Sequence, residues 1–182
     1  MPDCTRLLVV VDVETTGTVL GRDRILEIGA CVVDPITYEV LDTFETRIRS
    51  DVPSTSTARR IHGLGDKELA DAPSESEALN RFATFVGGPV RLAGHNICFD
   101  AAFLRDAVTR TGANLDIDYH LVDEWSVASV VLAAIGQELT SSTLDGLCLH
   151  FGIPRPEPHR ALDDARATAG VLERIIGILA TR

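Results

Sequence analysis

The stretch VVVDVETTG, residues 9–17, decides the fold. Three valines run into Asp12, and Glu14 follows one residue later. In a β-strand, residues i and i+2 point the same way, so Asp12 and Glu14 share a face and Val13 takes the other. Two like charges side by side raise each other's pKa unless something cancels them. A hard divalent cation such as Mg²⁺, which prefers a few carboxylates plus a substrate phosphate, is one canceller. On its own, the pair equally marks the place where a buried strand runs into a polar loop.

Working outward, RLLVVVD (6–12), ILEIGACVVD (25–34) and EVLDTFETRIR (39–49) read as three strands. The third alternates apolar and polar residues, which predicts one wet face. Short turn-like connectors predict an antiparallel meander. Residues 54–73 then read as a short helix stopped at Gly63 and a second helical turn. SESEALNRFATFVGG (74–88) carries a Ser74–Glu77 capping box, with Leu79, Phe82, Phe85 and Val86 on one helical face. PVRLAGHN (89–96) reads as a strand, residues 99–112 as a helix ended by Gly112, and YHLVDEW (119–125) as a strand leading into helix to about Ala134. A short helix covers 144–153. A long one covers 159–182, with Leu162, Ala165, Ala169, Leu172 and Ile176 along one stripe. Antiparallel strands come first and parallel crossovers follow, which predicts a mixed α/β sheet covered by helices in a single domain, residues 1–182.

The bulk properties narrow the function classes. The chain has 182 residues, 45% of them hydrophobic, enough for one domain with a full core. No apolar run reaches transmembrane length, and the start lacks a basic leader, so the expected location is cytoplasmic and no membrane partner is expected. The net charge of −10 argues against gripping long nucleic acid through a broad basic surface. Cys4, Cys31, Cys98 and Cys148 are scattered and read as free, small core residues.

Two further segments bear on the carboxylate pair. AGHNICFDAAFL (93–104) puts Asp100 at the start of a helix just after a buried strand. PHRALDDARATA (158–169) puts His159 at a helix start and Asp164 one to two turns in. Asp163 and Asp164 stand about 100° apart around a helix, so only one aims inward easily. Four carboxylates and a histidine from three segments can then converge. Two ions roughly 3.5–4 Å apart can cradle a scissile phosphate. A histidine whose ordinary pKa is about 6.5 suits deprotonation of the attacking water.

These pieces, in this order, resemble the DEDDh 3′–5′ exonucleases, the DnaQ-like family that includes the proofreading epsilon subunit of bacterial DNA polymerase III. DVETTG with DRILEIGA (12–17 and 23–30) resembles the first motif and RIHGLGDKELADAP (60–73) the segment after it. GHNICFDAAFL (94–104) resembles the second motif, and LDGLCLHFGI with HRALDDARATA (144–153 and 159–169) the third. The resemblance implies an RNase H-like five-stranded sheet, the first three strands antiparallel and the rest parallel, with helices on both faces. It implies that Asp12, Glu14, Asp100 and Asp164 hold two divalent cations, Mg²⁺ with Mn²⁺ able to substitute. It selects Asp164 over Asp163 and makes His159 the general base. It also implies that Thr15 and Thr16 meet the 3′-terminal sugar, that Ile61, His62 and Phe99 line the pocket for the terminal base, and that His95 and Asn96 brace the site.

The implied activity is removal of nucleoside monophosphates from the 3′ end of single-stranded or frayed DNA. An exoribonuclease of the same family is the alternative, because reading the 2′-OH depends on few contacts near the sugar. A DNA polymerase or a second copy of the chain is a candidate partner. A non-catalytic nucleic-acid-binding module would be expected to have lost ligands, yet all are present. DVETT is also faintly similar to the D-x-D-x-T of haloacid dehalogenase-type phosphatases, but that chemistry wants a lysine, and the only one, Lys67, sits in a polar stretch. Many relatives read Asp-Thr after the fifth strand, whereas this chain reads Asp123, Glu124, Trp125. That departure is expected to touch packing or substrate choice, with Trp125 in the core. Removing Asp12 or Asp164 is expected to abolish activity and, by lifting like-charge repulsion, to raise stability slightly.

Overall fold

The computed structural model describes residues 7–181; Cys4 and Arg6 lie outside this range. The chain forms β1 (Leu7–Thr15), β2 (Ile25–Val33) and β3 (Val40–Arg47), then α1 (Ser56–His62), α2 (Asp66–Leu69) and α3 (Glu75–Val86). After them come β4 (Val90–Gly94), α4 (Ile97–Thr111), β5 (Val122–Asp123), α5 (Glu124–Ala134), α6 (Leu144–Phe151) and α7 (Ala161–Ala180). The sheet order is β3-β2-β1-β4-β5. β1–β2 and β2–β3 are antiparallel, and β1–β4 and β4–β5 are parallel, as expected from the order of elements.

The period-2 pattern of β1 sorts its residues between two layers. Val9, Val11 and Val13 pack with Leu79, Phe82, Ile97 and Leu104 of α3 and α4. Leu8 and Val10 pack with Ala165, Ala169 and Leu172 of α7. Each fully buried valine or leucine contributes roughly 1.5–3 kcal/mol, so the central strand is held from both sides and its direction is set. Asp12 and Glu14 share the α7 side by parity.

Local signals end the helices where the sequence says. Ser74 accepts from the Glu77 N–H while the Glu77 carboxylate takes the Ser74 N–H, a complete capping box. Gly63 and Gly112 take left-handed conformations, φ 69° and 71°, just after α1 and α4.

Several expectations are corrected. The strand expected over 119–125 is two residues long. The Asp123 carboxylate accepts from the Ser126 N–H at 2.9 Å and its O–H at 2.6 Å, so it caps α5 and turns the chain into helix. Trp125 therefore lies on α5, 39% exposed rather than in the core, with its indole N–H on the Ser141 carbonyl at 3.2 Å. β3 has no fully buried residue; Phe44 is its contribution to the core, against Phe82 and Phe85. In α7 the buried place expected for Ile176 is taken by Ile175. Cys31 and Cys148 are buried free thiols, but Cys98 is exposed.

Candidate active site

The site forms at the carboxyl end of β1, where three elements deliver acidic groups. β4 stops pairing with β1 at Val10↔Ala93. Beyond that point the Val13 N–H has no strand partner on the β4 side, and Asp100 of α4 accepts it through Oδ1 at 2.9 Å. This bond ties the first turn of α4 to the strand that carries Asp12 and Glu14. Asn96, the residue before α4, is exposed and left-handed at φ 56°.

α7 arrives from the other face. Asp12 faces Gly29 across β1–β2. A Cβ on Gly29 would lie 2.1 Å from the Ala161 carbonyl carbon, so only glycine lets the start of α7 come this close. Glu27, fully buried in β2, fixes that start. Its Oε2 accepts the Ala161 N–H at 3.1 Å and its Oε1 the Arg160 guanidinium at 2.6 Å. Asp164, in the first turn of α7 and 4% exposed, is thereby brought to the tip of β1. Its neighbour Asp163 is less buried and pairs loosely with Arg166 at 3.8 Å.

His159 was expected at a helix start. It lies two residues before α7, exposed, with φ 65°. Its N–H donates to Asp164 Oδ2 at 3.1 Å, which holds a backbone conformation that side-chain-bearing residues adopt uncommonly. One ligand atom each of Glu14, His159 and Asp164 lie within 4.8 Å of one another.

The electrostatics agree with a site built for a cation. Burial first, then the Asp164 charge, pushes Asp12 up to about 7 against the opposing pull of Arg155 and His95. Burial, then Asp12 and Asp164, pushes Glu14 up to about 9. Burial and Asp12 raise Asp100 well above the carboxylate range. These are hard oxygen donors beside an imidazole, and Asp12, Glu14 and Asp100 resist ionisation where they stand. A hard divalent cation supplies the missing positive charge, so the donor set fits Mg²⁺ or Mn²⁺.

Beside the carboxylates opens a cavity of about 470 Å³, walled by Glu14, Thr15, Arg22, Ile61, His62 and Phe99 among others. Ile61 is 48% exposed at its rim. His62 is buried; Nδ1 accepts the Leu64 N–H at 2.9 Å, and burial, then Arg59, lowers its pKa. Of the eight residues expected to contact or brace substrate, or to act as base, Thr15, Ile61, His62 and Phe99 meet in this wall. Thr16 does not: its side chain is fully buried and its hydroxyl accepts the Arg24 N–H at 2.9 Å, closing the loop from 16 to 24. His95 stands at the end of β4, with Nδ1 2.8 Å from the buried Glu124. Burial draws the His95 pKa down, but the bond and charge of Glu124 outweigh it and the net shift is upward.

Sequence reasoning passed over Arg155. Its Nε and Nη2 donate to Oδ1 and Oδ2 of Asp164 at 2.7 and 2.6 Å. Nothing in PRPEPH marks that pairing. Glu27 had a readable signal, a lone carboxylate inside the apolar run ILEIGACVV, which must find a buried partner.

A family model described as Exonuclease, RNase_T, matches residues 9–172, and the chain belongs to this DnaQ-like, divalent-metal-dependent exonuclease family. It is 33% identical over 155 residues to the DNA polymerase III subunit epsilon of Treponema pallidum, covering 85% of this chain and 69% of that one. It is 32% identical over 168 residues to the PolC-type DNA polymerase III of Caldanaerobacter subterraneus, covering 92% of this chain but only 11% of that relative's length. The fold matches E. coli exonuclease I in its zinc-bound complex with single-stranded DNA at a TM-score of 0.78. That match has 20% identity and covers 97% of this chain and 43% of the other. The RNase H-like sheet implied by the motifs is the fold observed. Among the described residues no helix is long and apolar enough to cross a membrane.

Proposed function

We propose that residues 1–182 act as one exonuclease domain that removes nucleoside 5′-monophosphates one at a time from the 3′ end of single-stranded or frayed DNA. The observation that carries this reading is the cluster of Glu14, His159 and Asp164 at the edge of a nucleotide-sized cavity that shares Glu14 as a wall. Cavities of this size bury most of a small ligand. Phe99 and Ile61 offer apolar faces against which any base can stack, which suits an enzyme indifferent to sequence. Thr15, in the same cavity wall, would meet the terminal sugar.

Asp12, Glu14, Asp100 and Asp164 would hold two divalent cations. When bound, these supply charge that makes water more acidic and offsets the charge growing on the phosphate and the leaving oxygen. His159 takes a proton from the attacking water at a ring nitrogen. The water oxygen bonds to phosphorus, the bond from phosphorus to the 3′ oxygen of the preceding nucleotide breaks, and that oxygen takes a proton from a solvent water as it leaves. The exposed position of His159 lets the ring pass its proton to solvent between turnovers.

DNA is favoured as substrate because the curated relatives above are named as DNA polymerase III components. Their names also support a polymerase as partner, with a second copy of the chain as the alternative, and a cytoplasmic place of action. The test is to separate the products released from DNA and RNA of one sequence. Deoxynucleoside 5′-monophosphates released faster than ribonucleotides are expected. Faster release from RNA would replace the substrate, and oligonucleotide products would overturn the terminal mode of attack.

A further inference from the structure

Arg155 lies in the connection between α6 and α7, and its side chain is only 8% exposed. It meets Asp164 with a two-pronged fork, Nε to Oδ1 at 2.7 Å and Nη2 to Oδ2 at 2.6 Å. Its third nitrogen, Nη1, is bonded to Asp145 of α6. The same Oδ2 of Asp164 also accepts the His159 N–H at 3.1 Å. A carboxylate has about four lone-pair positions, and three on Asp164 are therefore taken by this chain's own donors. Among the described residues, a single position, on Oδ1, has no donor. Forked arginine–carboxylate pairs are the strongest and most directional of the charged hydrogen bonds, and burial strengthens them further.

We propose that Arg155 is an internal cation that competes with the metal for Asp164 and so sets the ion affinity of the site. This rests on the reading of Asp164 as an ion ligand. A full positive charge already stands on that carboxylate, and an incoming ion must either accept the single open position or detach one prong of the fork. Asp145 makes detachment feasible. It is 70% exposed and holds Nη1, so the guanidinium can pivot about that bond without losing every partner. The competition is balanced by the rest of the cluster, because Asp12 and Glu14 gain a cation when the ion enters and have only a share of Arg155 otherwise.

The alternative role for a buried fork is to orient Asp164 for the ion, and the two roles predict opposite signs. The test measures Mn²⁺ binding through loss of the free-ion paramagnetic resonance signal, together with the unfolding midpoint in EDTA. Arg155→Gln is expected to bind Mn²⁺ about tenfold tighter or more. Its midpoint in EDTA is expected to fall, with the loss restored by Mn²⁺. Arg155→Lys, which keeps the charge but not the fork, should lie between the two. Equal or weaker Mn²⁺ binding by folded Arg155→Gln overturns the proposal. Should Arg155→Gln not fold, Arg155→Lys, which cannot make the two-pronged contact, decides the matter alone. Tighter Mn²⁺ binding there supports competition, and equal or weaker binding overturns it. Mn²⁺ binding that survives Asp12→Ala and Asp164→Asn undiminished would instead overturn the ion-centre reading, and this inference with it.

Discussion

Gly29 and Ala161 meet where β2 and the start of α7 touch, and a Cβ on Gly29 would stand 2.1 Å from the Ala161 carbonyl carbon. The neighbour is backbone, so it cannot turn aside as a flexible side chain would. Gly29→Ala must therefore push α7 off the sheet, and with it Asp164 away from Asp12. Overpacking of this kind costs about 1–3 kcal/mol. A lowered unfolding midpoint and a large loss of exonuclease rate in the same protein are expected from thermal melts and turnover assays.

Asp12 and Asp164 part company in stability, although both substitutions should abolish activity. Like-charge repulsion alone would make either replacement stabilising. Asp12→Asn removes a carboxylate that burial and Asp164 already push up to about 7, so in EDTA its melting midpoint should rise, by roughly 2–4 °C per kcal/mol relieved. Asp164→Asn breaks the buried fork with Arg155, and breaking such a pair costs about 3–5 kcal/mol. Its midpoint should fall. Paired melts of the two variants check the contrast.

The same carboxylates give the fold a pH dependence. Asp12 and Glu14 ionise near their ordinary values of 3.8 and 4.5 when unfolded, but rise to about 7 and about 9 in the fold. Between those limits the folded chain binds more protons than the unfolded one, so stability falls as pH rises. The contribution is complete below about pH 4 and is lost progressively up to about 9. Melting midpoints in EDTA should decline across pH 5–9. Added Mg²⁺, which favours the ionised carboxylates, should flatten or reverse that decline.

His159→Ala should separate chemistry from binding. The four carboxylates remain, so Mn²⁺ still binds, while loss of the base slows hydrolysis by about 10²–10⁴-fold. Single-turnover rates beside a Mn²⁺ titration test this. Equal loss of both would make His159 an ion ligand rather than a base.

Much of the fold was legible because β1 is a continuous apolar run that reads as a buried strand and because Ser74, Gly63 and Gly112 mark helix ends in a local code. Asp100 was legible as a carboxylate at the start of a helix that follows an apolar strand, and Asp164 as one near the start of the last helix. β5 was misjudged because the residue that ends it, Asp123, reads as strand in LVDEW but acts as a helix cap. Trp125 followed it out of the core. The position of His159 turns on one left-handed residue with no glycine to announce it. The Thr16 hydroxyl closes a loop on Arg24, eight residues along, a pairing that no local pattern announces. Arg155 and Arg160 act through partners nine and more than a hundred residues away, and no local pattern encodes such pairs.

The most direct measurement follows a 5′-labelled single-stranded DNA on a sequencing gel with Mg²⁺ or with EDTA, wild type beside Asp12→Ala. A ladder shortening stepwise from the 3′ end, present only with Mg²⁺ and lost in Asp12→Ala, is the expected result. A full-length band that stays intact with Mg²⁺, or shortening that persists in EDTA or in Asp12→Ala, would contradict a metal-dependent 3′–5′ exonuclease centred on this strand.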